Sequence, residues 1–100
     1  MDKQQIIEEA LLRTWANKRG YEKVLNKYIE ELAELLTVLL QRRNKPVNKA
    51  DIITEVVDLG IMLEQLIIIL GITETELSQT RTRKLSKIKD YIKRGVFDGV

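Results

Sequence analysis

The chain contains no cysteine and no histidine. The first absence excludes disulfides, thiolate nucleophiles and zinc ribbons, and the second excludes imidazole metal sites and histidine acid–base chemistry. Any catalysis must rest on carboxylates, lysines, tyrosines or an oxygen-held metal. Proline occurs once, at Pro46, and glycine only at positions 20, 60, 71, 95 and 99. So few interruptions over 100 residues point to one all-α domain spanning 1–100, with a core at about 21–94. The start, Met1-Asp2-Lys3-Gln4-Gln5, has no basic-then-apolar signal pattern, and the Leu66–Leu70 run is too short to span a bilayer. A cytoplasmic protein without a membrane partner is therefore expected. Neither sign of charge dominates: 17 basic against 15 acidic residues leave a formal +2, too little to argue for nucleic acid as a partner. A chain of this length buries only about two thirds of its unfolded surface, so an oligomer is expected.

What is present is helical periodicity. Ile6, Ile7, Ala10, Leu11 and Trp15 recur at helical spacing from about Lys3 to Lys18. This first helix ends near Gly20, with Trp15 as a core or interface anchor. A second helix is predicted from about Tyr21 to Arg43, its core stripe being Leu25, Tyr28, Ile29, Leu32, Leu36 and Leu39, widened by Leu35, Val38 and Leu40. The stretch Asn44–Asn48 around Pro46 reads as a loop. Asn48 can cap a third helix that runs to Gly71 and is apolar nearly all round, the pattern of a helix buried on more than one side. In so short a chain the second side is expected to meet another subunit. Gly60, in its middle, reads as a packing residue where a neighbouring backbone approaches closely. Thr73 and Glu76 form a capping box for a last helix from about Glu74 to Arg94, with Gly95 as its stop and Val96–Val100 as a tail. That helix carries Arg81, Arg83, Lys84, Lys87, Lys89, Lys93 and Arg94. Four helices with short connections predict an antiparallel, four-helix bundle-like protomer.

Two acidic combs sit in the most apolar part of this pattern. Glu31 with Glu34, and Glu55 with Asp58, are three residues apart, so each pair lies on one helix face, and Glu30 is close enough around the wheel to share the first. Packing the two helices together brings at least four carboxylates near one another in a partly dry groove. Like charges so placed raise each other's pKa and are relieved by a cation. Three readings compete. Solvated helix faces are the default for any single glutamate, but Glu55 and Asp58 lie inside an apolar stretch where unpaired charge is destabilising. A di-iron carboxylate bundle requires Glu-x-x-His motifs, and the chain has no histidine. A hard-cation site remains: all-oxygen ligation at high negative charge suits Mg²⁺, with Mn²⁺ as a substitute, and the expected chemistry is hydrolysis at phosphorus.

Glu30-Glu31-x-x-Glu34 followed after a loop by Glu55-x-x-Asp58 resembles the signature of the all-α nucleoside triphosphate pyrophosphohydrolases, the MazG-like group. The likeness covers roughly Tyr21 to Arg94, including Ile61–Leu66 and the Leu70-Gly71-Ile72 turn, both similar to small phage and bacterial MazG-like proteins. It implies Mg²⁺-dependent cleavage between the α and β phosphates of a nucleoside triphosphate, giving the monophosphate and pyrophosphate, in a homodimer or homotetramer. It also implies Glu31, Glu34, Glu55 and Asp58 as metal ligands, Glu30 in a supporting catalytic role, and Glu34 as the carboxylate that orients or deprotonates water. Lys84, then Lys87, would contact the phosphates. Thr54-Glu55 stands where many relatives have paired acids, and Lys87 and Tyr91 where many carry arginines. The alternative, from a different class, is a non-catalytic helical oligomer or binding module whose basic last helix holds nucleic acid or an acidic protein.

Overall fold

In the computed structural model, which describes residues 2–43, 46 and 48–96, four helices follow one another: α1 (Lys3–Arg19), α2 (Tyr21–Arg42), α3 (Lys49–Ile69) and α4 (Glu74–Arg94). There is no strand among the described residues. Most of the expected loop (residues 44, 45 and 47) and tail (97–100) lies outside the described residues. Local chemistry explains the helix ends. Gln5 N–H donates to Asp2 Oδ1 at 2.8 Å and Asp2 N–H donates to Gln5 Oε1 at 2.9 Å, a capping box that opens α1. Asn48 Oδ1 accepts from Ala50 N–H at 2.8 Å to open α3. Thr73 and Glu76 form the expected box on α4. One residue, Gly20, separates α1 from α2, and its φ of +83° and ψ of 166° form a corner that a side chain would oppose. Gly71 closes α3 at φ +68°: its N–H donates to Ile68 O and that of Ile72 to Ile67 O, both at 3.1 Å, the paired bonds of a Schellman turn.

α2 and α3 pack on each other most extensively, and α1 lies across both. The chain bends by 119° between α3 and α4, and α4 packs on none of the other helices. The four expected helices are present, and three of them pack on one another within one chain. No residue of α4 is buried. Its basic residues and narrow apolar stripe keep it water-compatible without a neighbour.

The face that α2 turns inward also differs from the expected stripe. Val24 and Glu31 are buried, with Tyr28, Leu35 and Val38 half-buried in line with them, whereas Ile29, Leu32, Leu36 and Leu39 are exposed. The apolar residues of α2 are numerous enough to make two stripes, and the chain covers the one that contains Glu31. On α3 the covered line is Ile52, Glu55, Asp58, Met62 and Gln65. Gly60 is exposed, and a Cβ there would meet nothing within 4 Å among the described residues, so the expected close approach is not made by them. Trp15 is half exposed, with the Arg19 guanidinium 5.7 Å from its ring centroid.

The described core contains only Ala16, Val24 and Met62 as fully buried apolar residues. The accessible surface is 8148 Å², roughly 40 % more than a compact 11.6 kDa monomer exposes. The radius of gyration is 17.0 Å, against about 13 Å for a compact chain of this length. No single helix among the described residues is long and apolar enough to cross a membrane.

Candidate metal centre

The inward faces of α2 and α3 place three carboxylates together. One oxygen each of Glu31, Glu34 and Glu55 lies within 4.8 Å of the others. Three carboxylate oxygens this close could hold a metal ion. The three are graded in burial: Glu31 is buried, Glu55 half-buried and Glu34 exposed. The trio thus runs from the helix interface out to solvent, open on the Glu34 side.

Its charges are balanced only in part: Lys27 Nζ lies 3.3 Å from Glu31 Oε1, and other carboxylate oxygens have no partner. Glu31 is 5 % exposed, and its Oε2 has no hydrogen-bond partner; neither has the buried Oε2 of Glu55. A buried carboxylate oxygen without a donor is destabilising unless a proton or cation reaches it. Glu34 shows the effect in its proton affinity. Its pKa is raised from the usual 4.5, first by the Glu31 charge, then by partial desolvation and by the charges of Glu55 and Glu30. The donor set, all oxygen and crowded with negative charge, fits a hard divalent cation and not a soft one.

The other expected site residues are placed differently. Asp58 is half-buried on the same face of α3, one turn beyond Glu55, and does not join the trio. Glu30 points to solvent, where its Oε1 is 3.3 Å from Lys27 Nζ. Lys84 and Lys87 are exposed on α4, and because α4 packs on neither α2 nor α3, one chain does not carry them onto the carboxylates.

Lys27 is a side chain at this cluster that sequence reasoning passed over. Its Nζ is also 3.3 Å from Glu31 Oε1, and hydrogen bonds to Glu31 and then Glu30 raise its pKa above the usual 10.5. A lysine four residues before a glutamate on one helix is a readable pairing signal. Gln65, almost fully buried with an unpartnered Oε1, sits ten residues beyond Glu55, about 15 Å along α3, and is not part of this site. A groove of about 680 Å³ among Glu8, Leu12, Ile67, Ile68, Ile72 and Leu77 contains none of the three carboxylates. Its walls mix apolar residues of α3 with the polar Gln5, Glu8, Glu9 and Arg13 of α1. No family model, curated protein or solved structure significantly matches this chain.

Proposed function

We propose that the chain is a Mg²⁺-dependent nucleoside triphosphate pyrophosphohydrolase, cleaving between the α and β phosphates to give the nucleoside monophosphate and pyrophosphate. The observation that carries this reading is the convergence of Glu31, Glu34 and Glu55 with unpartnered buried oxygens on two of them. When bound, Mg²⁺ or Mn²⁺ supplies neutralisation of phosphate charge and acidification of water. Glu31 and Glu55 would hold the cation from the two facing helices, with Asp58, one turn beyond Glu55 on the same face of α3, as the next carboxylate in line. Glu34, the solvent-side member with raised proton affinity, accepts the proton of the attacking water. The water oxygen bonds to phosphorus, the bridging P–O bond breaks, and pyrophosphate leaves.

The reading includes a homo-oligomer, a homodimer or homotetramer. Exposed Ile29, Leu32, Leu36, Ile53, Val56 and Val57 give α2 and α3 an apolar surface to bury. Lys84 and Lys87, which do not reach the carboxylates of their own chain, serve the triphosphate at the site of a second copy. A second reading, a non-catalytic binding module, is favoured by one observation only, the basic α4 standing free of its own chain.

One experiment separates the two. The protein is incubated with a panel of ribo- and deoxyribonucleoside triphosphates and Mg²⁺, and monophosphate plus pyrophosphate is resolved from diphosphate plus phosphate. Hydrolysis to monophosphate, reduced at least about 1,000-fold in Glu34→Gln and Glu55→Gln, is the expected outcome. No turnover, together with salt-sensitive retention of nucleic acid, would transfer the assignment to the binding module.

A further inference from the structure

Among the described residues, Lys27 is the cation the fold brings against the carboxylates, and its position is two-sided. Its ammonium lies 3.3 Å from Oε1 of Glu30, whose side chain is 56 % exposed, and 3.3 Å from Oε1 of Glu31, whose side chain is 7 % exposed. One contact is in solvent and the other is on the innermost member of the trio. The same Glu31 carboxylate keeps its second oxygen buried and unpartnered. We propose that Lys27 is the resident counter-ion of the metal-free centre, neutralising Glu31 until a divalent cation displaces it, and that Glu30 is the post to which its ammonium withdraws.

This rests on the cation reading above and gives the Glu30-Glu31 doublet a division of labour. A dication bound to Glu31 and the Lys27 ammonium are like charges a few ångströms apart, and at that separation their repulsion is large even with substantial screening. The ammonium must leave, and the helix makes departure local. Glu30 and Glu31 are three and four residues from Lys27, both within reach of one stem, so rotation within the side chain gives up Glu31 and keeps Glu30 without moving the backbone. Glu30 then retains the ammonium, and Glu31 is released to the cation with its full charge.

The test is calorimetric titration of Mg²⁺ and of Mn²⁺ into the full chain without nucleotide, at one pH and ionic strength. Lys27→Met is expected to tighten both cations by about tenfold or more, and Lys27→Gln serves as a second neutral variant should the first fail to fold. Lys27→Arg, which keeps the charge, is expected not to tighten them. Glu30→Gln is expected to weaken binding more in the native sequence than beside Lys27→Met, because only in the former does the ammonium lose its post. Tightening is an outcome that mere structural damage would not produce. Unchanged or weaker binding in folded Lys27→Met and Lys27→Gln would overturn the inference while leaving the cation site standing. Failure of the native chain to bind either cation would overturn both.

Discussion

α2 and α3 hold their acidic side chains against one another, whereas α4 holds its first-turn acid against its own backbone. Glu76 accepts from Thr73 N–H at 3.0 Å and from the Thr73 hydroxyl at 2.9 Å, and at the other end of α4 Arg94 pairs with Asp90 at 3.0 Å. Between α2 and α3, Glu31 and Glu55 are left with oxygens that nothing donates to. The packed pair therefore has a position without full charge balance, and the lone helix has its ends capped and paired without a position. Neighbouring residues suffice to make a helix, but they do not decide where it goes. The contrast predicts that perturbing the packed pair changes assembly and metal response, and that perturbing α4's own end changes only α4.

The largest effect should come from the uncovered side of α2. If it is buried between copies, the native species has a mass that is a multiple of 11.6 kDa. Leu36→Asp then removes a leucine and buries a charge on each side of the interface, which raises the dissociation constant by about 100-fold or more. Sedimentation velocity over a concentration series reads this directly. A native chain that sediments as an 11.6 kDa monomer at every concentration would break the comparison, because α2 would then tolerate its exposed stripe as α4 tolerates its own.

A smaller effect, of opposite sign to most core substitutions, is expected at Glu31. Without metal, Glu31→Leu removes a buried carboxylate with an orphaned oxygen from a line otherwise occupied by Val24, Tyr28, Leu35 and Val38. Stability should rise by about 1–3 kcal/mol while the upward shift of the melting midpoint with Mg²⁺ disappears. Destabilisation of the metal-free protein by this substitution would mean that the ion pair with Lys27 outweighs the orphaned oxygen. Stability would then have to be credited to the acidic cluster itself.

The same division explains what could be read from the sequence. Helix ends were legible because caps are local: Gly20, Asn48, Thr73-Glu76, Gly71 and Gly95 each act through bonds within a few residues. The meeting of Glu31, Glu34 and Glu55 was legible because three-residue spacing fixes a face and short connections bring successive helices together. The inward stripe of α2 was legible only in part, at the half-buried Leu25 and Tyr28, since Ile29, Leu32, Leu36 and Leu39 make as good an apolar line as the one that is covered. Hydrophobicity alone gives no reason for a carboxylate to take a core position. Gly60 and the placement of Lys84 and Lys87 were illegible for a related reason. Their expected neighbours lay on other elements, and within one chain those elements do not arrive.

The smallest effect is also the sharpest division between the two regions, because Glu34 and Glu76 have pKa values moved in opposite directions from the same 4.5. Glu34 is raised chiefly by the Glu31 charge, so the native state takes up its proton before the unfolded chain does. Metal-free stability therefore rises as the pH falls from neutral through that raised value, and the gain is complete near 4.5. Glu76 is lowered by its bonds to Thr73, so its contribution is present above 4.5 and is lost as the pH falls further. Both groups are exposed, so the changes are modest and screened by salt. Melts in chelator from pH 7 to pH 3 should show the upper limb flattened by Glu34→Gln alone, and the acid loss of helicity flattened by Thr73→Ala alone. A single substitution that flattened both limbs would mean that α4 is energetically coupled to the α2–α3 pair. Because the two do not touch within one chain, that coupling would have to pass through a second copy.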